Sequence, residues 1–179
     1  TGTFLAFENA VSVPYTLQVG KTTVLPVRIS DDMQLVEIAA QPDGWTVELD
    51  VREKNVSITP SLDSDEEETY EVRLQGIDEE GLLYMAVARI HVSSMDFSAS
   101  GGVFILNEGN MTSENGSLIY IDGEGNILDD VYKAVNGTEL GNVTQDLCIA
   151  GGNIYIIAQN GNRDGGDGML VVADSRTLG

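Results

Sequence analysis

Apolar residues in the first hundred or so positions fall in short runs that alternate with polar ones. The runs are YTLQV at 15–19, TTVLPVRIS at 22–30, LVEIAA at 35–40, WTVELDV at 45–51, NVSITP at 55–60, TYEVRLQG at 69–76 and LLYMAVARIHV at 82–92. In a strand, successive side chains point to opposite faces, so Val72 and Leu74 share a dry face while Glu71, Arg73 and Gln75 share a wet one. Seven such strands predict a β-sandwich. The turns support this, because PDG before Trp45 and DEEG before Leu82 place glycine where the backbone must take a positive φ.

The second part of the chain follows another pattern. GGVFILNEGNMTSENGSLIYID at 101–122 is answered by GGNIYIIAQNGNRDGGDGMLVVAD at 151–174. Val103, Phe104, Ile105 and Leu106 superpose on Ile154, Tyr155, Ile156 and Ile157 at an offset of 51, and Leu118, Ile119 and Asp122 on Leu170, Val171 and Asp174 at an offset of 52. A steady offset with one insertion marks a structural repeat, and a period near fifty is that of propeller blades. VFIL and IYII are apolar without alternation, so both faces are expected to be covered. Between the copies, NILDDVY at 126–132 reads as a third strand, DGEG at 122–125 as a hairpin turn, and QDLCIAGG at 145–152 as a strand or turn leading into the next unit.

Charge and rare residues narrow the function. Nine Lys and Arg face 29 Asp and Glu, a net charge of −20. Such a surface repels phosphate backbones and anionic lipid, so neither nucleic acid nor direct membrane insertion is expected. No apolar run is long enough to span a bilayer as a helix. Cys148 is the single cysteine, and DLCIAGG reads as buried strand rather than exposed nucleophile. His91 is the single histidine, which leaves no transition-metal spacing and no His-centred triad. GxSxG and Walker motifs are missing, and 29 carboxylates give coincidental pairs too readily to mark a glycosidase site. No catalytic residue is therefore assigned. Five N-x-S/T sequons, at Asn55, Asn110, Asn115, Asn136 and Asn142, read as glycosylation sites in a eukaryotic secretory route and as plain Asn-rich turns in a bacterium.

Two stretches resemble known families. QPDGWTVELDVREKNVSITPS resembles the N-terminal immunoglobulin-like domains of Bacteroidetes surface lipoproteins, over about residues 8–94. NEGN after an apolar strand, SLIYID, the Leu-Gly pair at 140–141 and QDLCIAGGNIYIIAQN resemble the first blades of YncE-like, surface-layer-type β-propellers, over 101–179. The resemblance implies an all-β chain, with an immunoglobulin-like sandwich over 1–97 as spacer and propeller-like repeats over 98–179 as the working part. It also implies a lipid-anchored or secreted cell-surface protein that captures a nutrient, small molecule or glycan without catalysis, beside an outer-membrane transporter. A propeller lyase or hydrolase acting on polysaccharide, and an adhesion or scaffold module, are the rival readings. A propeller carries several more blades, and a blade and a half leaves an apolar face and a strand edge bare. The chain is thus expected to be part of a longer protein, and its C-terminal half as it stands to pair with another copy through that edge or to keep contact with a separately cleaved remainder.

Candidate sites follow from the repeat. Asn107, Glu108 and Asn110 in the first copy, and Gln159, Asn160 and Asn162 in the second, follow equivalent strands whose loops converge at one end of a propeller. Ligand contact there competes with a plain role in satisfying turn backbone. Asp164 and Asp167 in NGNRDGGDG have oxygen ligands for calcium, against a flexible glycine loop that lacks the full series of ligands. DSDEEE at 63–68 carries the same two readings, calcium or a solvated loop. Trp45 reads as the largest piece of the sandwich interior rather than as an exposed platform for sugar.

Overall fold

The computed structural model describes residues 2–111, 113–161 and 168–179. Among them strands dominate and the chain is all-β. It divides into two compact units, Thr1–Ser94 and Met95–Gly179. The expected boundary lay three residues further on. Met95 and Phe97 are buried, and Phe97 donates its backbone N–H to the carbonyl of Arg176 and packs on Phe104 and Tyr120, so these residues belong to the second unit.

The first unit is an immunoglobulin-like sandwich of two four-stranded sheets. Its strands are β1 (Leu5–Phe7), β2 (Tyr15–Gln18), β3 (Thr23–Ile29), β4 (Met33–Ala40), β5 (Thr46–Asp50), β6 (Asn55–Thr59), β7 (Tyr70–Asp78) and β8 (Leu83–Ser93). One sheet runs β1-β3-β6-β5 and the other β2-β8-β7-β4. All seven expected strands are present. The added β1 is too short for alternation to reveal, and it exists because it pairs with the edge of β3, Leu5 opposite Ile29. Alternation delivers the core: Val56, Ile58, Val72, Leu74 and Ile90 are fully buried. On the wet face of β7, Arg73 forms an ion pair with Glu71 and Gln75 reaches Glu37.

Trp45 is buried at the start of β5. Its ring lies 4.8 Å from that of Tyr70, and its indole N–H donates to Ser64 Oγ at 2.9 Å. The acidic run beside it is tied down by its own hydrogen bonds. Asp65 Oδ1 accepts from the N–H of Glu67, and Glu66 Oε1 accepts from the N–H and hydroxyl of Ser94. Among the described residues no cluster of His, Cys, Asp and Glu has the geometry of a metal site.

The second unit holds two three-stranded antiparallel sheets. The first runs β11-β10-β9, from β9 (Val103–Asn107), β10 (Ser117–Ile121) and β11 (Ile127–Leu128). The other runs β12-β13-β14, from β12 (Asn142–Ala150), β13 (Asn153–Asn160) and β14 (Met169–Asp174). The repeat is real at the level of register. Val103 pairs with Ile121, Ile105 with Ile119 and Asn107 with Ser117. Their counterparts pair identically, Ile154 with Ala173, Ile156 with Val171 and Ala158 with Met169. A complete propeller blade has four strands; each of these sheets has three. The copies are completed on opposite edges, β11 lying beside β10 and β12 beside β13.

Three expectations are corrected here. The strand expected over 126–132 stops at Leu128, and Val131–Asn136 form the short helix α1. Asp130 at φ 41° turns the chain out of the sheet, Gly137 at φ 70° closes the helix by donating to the carbonyl of Lys133, and Val131 anchors it in the core. The strands VFIL and IYII are covered on one face rather than both, since Val103, Ile105 and Ile157 are exposed. Cys148, expected to be buried, is exposed, because it lies opposite Tyr155 on the open face of its sheet.

The aspartates that close the two copies do the same work. Asp122 Oδ1 accepts from the N–H groups of Glu124 and Asn126, and Asp174 Oδ1 from those of Arg176 and Thr177. These bonds favour the charged form. The Asn126 side chain is the main cause of the lowered pKa of Asp122, and the backbone N–H of Thr177 that of Asp174. A carboxylate whose folded pKa is depressed contributes stability that is present above its unfolded value and is lost as pH falls through the folded one. Stability of the second unit is therefore expected to fall off below about pH 3.8, the ordinary value for these groups. Thermal melts between pH 6 and 3 check this. Asp122→Asn together with Asp174→Asn should flatten the fall.

Candidate functional site

Where β9 ends, the chain must turn back into β10, and its polar residues fold the turn. Asn110 Nδ2 donates to Ser113 Oγ, the N–H of Ser113 donates to Asn110 Oδ1, and Asn110 and Glu114 exchange backbone bonds. Asn107 Nδ2 donates to Ser117 Oγ. The second copy then grips this turn. Thr144 donates its N–H to the carbonyl of Glu108 and its hydroxyl to that of Asn107, at 3.2 and 2.6 Å. Asn142, wholly buried, donates from Nδ2 to the carbonyls of Asn110 and Glu114, at 2.7 and 2.8 Å. Gly116 is required at the contact, since a Cβ there would stand 2.3 Å from Thr144 Cγ2.

Between these two anchors the backbone is strained. Val143 is buried at φ 56°, a left-handed conformation that a β-branched residue adopts at a cost of about 1–3 kcal/mol. One residue further, the pairing of β12 with β13 shifts register between Thr144 and Asp146, a bulge that leaves Gln145 without a partner across the ladder. Bulges of this kind bend the strand and redirect side chains. Here the bend opens a groove of about 460 Å³ lined by Phe104, Leu106 and Glu108 from the first copy and by Thr144, Gln145, Asp146 and Leu147 from the second. Its wall combines an aromatic ring, two aliphatic side chains, an amide and two carboxylates. Such a lining can hold a solute with an apolar face and several hydroxyl or cationic donors, and it repels anions.

The residues expected at the site are distributed as follows. Glu108 lines the groove. Asn107 and Asn110 hold the turn beside it, and Asn160 reaches Asn142 Oδ1 at 3.4 Å. Gln159 is exposed on β13 and is not among the lining residues. Asn162, Asp164 and Asp167 lie outside the described residues, and with them the calcium reading of that loop. Sequence reasoning missed Thr144, Gln145 and Asp146, and it noted Asn142 only as a sequon. The one local signal was the Leu-Gly-Asn turn just before β12.

An immunoglobulin-like sandwich followed by a unit of repeated three-stranded sheets with a groove between its copies defines the class of this protein. Residues 101–179 match a family model described as a domain of unknown function (DUF5074), and the matched segment opens on the Gly pair of the first copy. No curated protein matches the chain. Among solved structures, the chain is similar to extracellular cadherin domains 3–6 of protocadherin gamma B2, at 12% identity and a TM-score of 0.39 over 93% of this chain and 45% of that one. It is also similar to the D00-D0 domain of intimin, at 13% identity and a TM-score of 0.37 over 94% and 85% of the two chains. The chain thus spans under half the length of the protocadherin structure. No helix among the described residues is long and apolar enough to cross a membrane.

Proposed function

We propose that this protein is a non-enzymatic cell-surface binding protein that captures a neutral or cationic nutrient, a glycan above all, in the groove between the two repeat copies. The observation that carries the reading is the strained Val143 and the bulge after it, held between the buried anchors Asn142 and Thr144. Strain persists where surrounding structure over-determines it, and it concentrates at ligand sites. Glu108, Gln145 and Asp146 supply acceptors for sugar hydroxyls, and Phe104 and Leu106 supply the apolar wall. The immunoglobulin-like unit serves as a spacer from a lipid anchor, and the repeat unit is the beginning of a YncE-like propeller on the surface of a Bacteroidetes cell, beside an outer-membrane transporter.

A glycan array probed with the labelled chain, followed by calorimetry on the best binder, tests this. Glu108→Gln with Asp146→Asn should weaken binding roughly 10-fold or more, as expected for loss of hydrogen bonds to charged groups worth about 1.5–3 kcal/mol. Unchanged affinity in that variant, or no binding to any glycan on the array, would overturn the assignment. Breakdown of the bound glycan would replace capture by hydrolysis or lyase chemistry.

A further inference from the structure

The groove between the two copies carries charge of one sign. Glu108 lines it from the first copy and Asp146 from the second, and among the described residues no basic side chain joins them. The backbone brings the two together, since Thr144, two residues before Asp146, donates its N–H to the carbonyl of Glu108 at 3.2 Å. Asp146 Oδ1 accepts the N–H of Leu147 at 2.8 Å, and among the described residues neither carboxylate has an ion-pair partner. The second unit has few cations to lend. Over residues 95–179 three Lys and Arg stand against 12 Asp and Glu, a balance of 3 − 12 = −9. Lys133 is held by Glu139 at 2.8 Å, the charge of Arg176 acts on Asp96 and Asp174, and Arg163 lies outside the described residues.

Resting on the capture reading above, we propose that the groove selects saccharides bearing an unacetylated, protonated amine. A neutral sugar settling there takes water from two like charges and returns no counter-charge, and covering unpaired charge is costly. An ammonium group returns it, with charge-assisted hydrogen bonds to both carboxylates. The ring of Phe104, itself packed on Phe97 and Tyr120, adds to the preference, because an aromatic face attracts a cation. Charge alone does not fill the site. Leu106 and Leu147 call for an apolar face, and the Gln145 amide for hydroxyl groups, a combination that a sugar ring presents. An anionic saccharide is repelled by the same walls.

Two oligomers of equal length test this by calorimetry, one of glucosamine and one of N-acetylglucosamine, which differ in the amine alone. The glucosamine oligomer is expected to bind about 10-fold tighter or more, the scale of one hydrogen bond to a charged group. Its affinity should fall as salt rises, while that of the acetylated oligomer should hold. Glu108→Gln with Asp146→Asn, checked for folding by circular dichroism, should bring the two affinities together. Equal or tighter binding of the acetylated oligomer to the wild type would overturn the amine selectivity and leave capture standing, whereas a chain that binds neither these oligomers nor any other glycan loses both. Undiminished binding of the glucosamine oligomer by the double variant would place its attraction in the general acidity of the chain and overturn the assignment to the groove. Spermine binding as tightly as the glucosamine oligomer would overturn it too, since spermine has the charge without the sugar.

Discussion

Replacing Trp45 by alanine is expected to cost the N-terminal sandwich about 3–5 kcal/mol, the scale for truncating a large buried aromatic. The indole is 5% exposed, packs its ring on Tyr70 and satisfies its N–H at Ser64. Alanine leaves a cavity, and it also removes the indole donor that helps to fix Ser64 within the acidic run. Trp45→Phe separates the two effects. It keeps most of the volume and loses the hydrogen bond, so it should cost about 1–2 kcal/mol, within the usual range for one such bond plus a small packing defect. Denaturant unfolding followed by far-ultraviolet circular dichroism measures both. Wild-type tryptophan emission at the wavelength of a solvated indole would contradict the burial on which the prediction rests.

Asn142→Ala is expected to be the most damaging polar substitution in the second unit. One buried amide donates to the carbonyls of Asn110 and Glu114, which keep the backbone bonds they exchange once it is gone, and two lost hydrogen bonds cost about 0.5–1.5 kcal/mol each. The turn after β9 and the start of β12 would then lose one of the two anchors that hold Val143 at its positive φ. The loss should appear as a lowered unfolding midpoint for this unit and, under the capture proposed above, as weakened binding in the groove, because Glu108 sits on the released turn. Asn142→Asp tests the chemistry rather than the size: it keeps the shape but places carboxylate oxygens against two carbonyls, and it should be as harmful as alanine at neutral pH. An aspartate variant with wild-type stability would show that the amide donor is not what holds the turn.

Local pattern was enough for much of this protein. Period-two alternation placed seven strands of the sandwich, because a strand with one wet and one dry face must write that alternation into its sequence. Recurrence of an apolar run, a polar loop and a closing Asp placed the repeat. The structure explains the recurring Asp, since Asp122 and Asp174 each accept the backbone N–H groups of the turn that follows. What the pattern could not decide was which face of each repeat is covered. VFIL and IYII are apolar on both sides, and only the stacking of one copy on the next turns Phe104 inward in the first and Ile154 and Ile156 inward in the second. The same stacking exposed Cys148. The groove was equally silent in sequence, for it depends on a positive φ at Val143 and a bulge at Gln145, and neither residue type announces such a backbone. That conformation is imposed by Asn142 and Thr144 reaching carbonyls more than thirty residues away along the chain, contacts that exist only once the two copies have met.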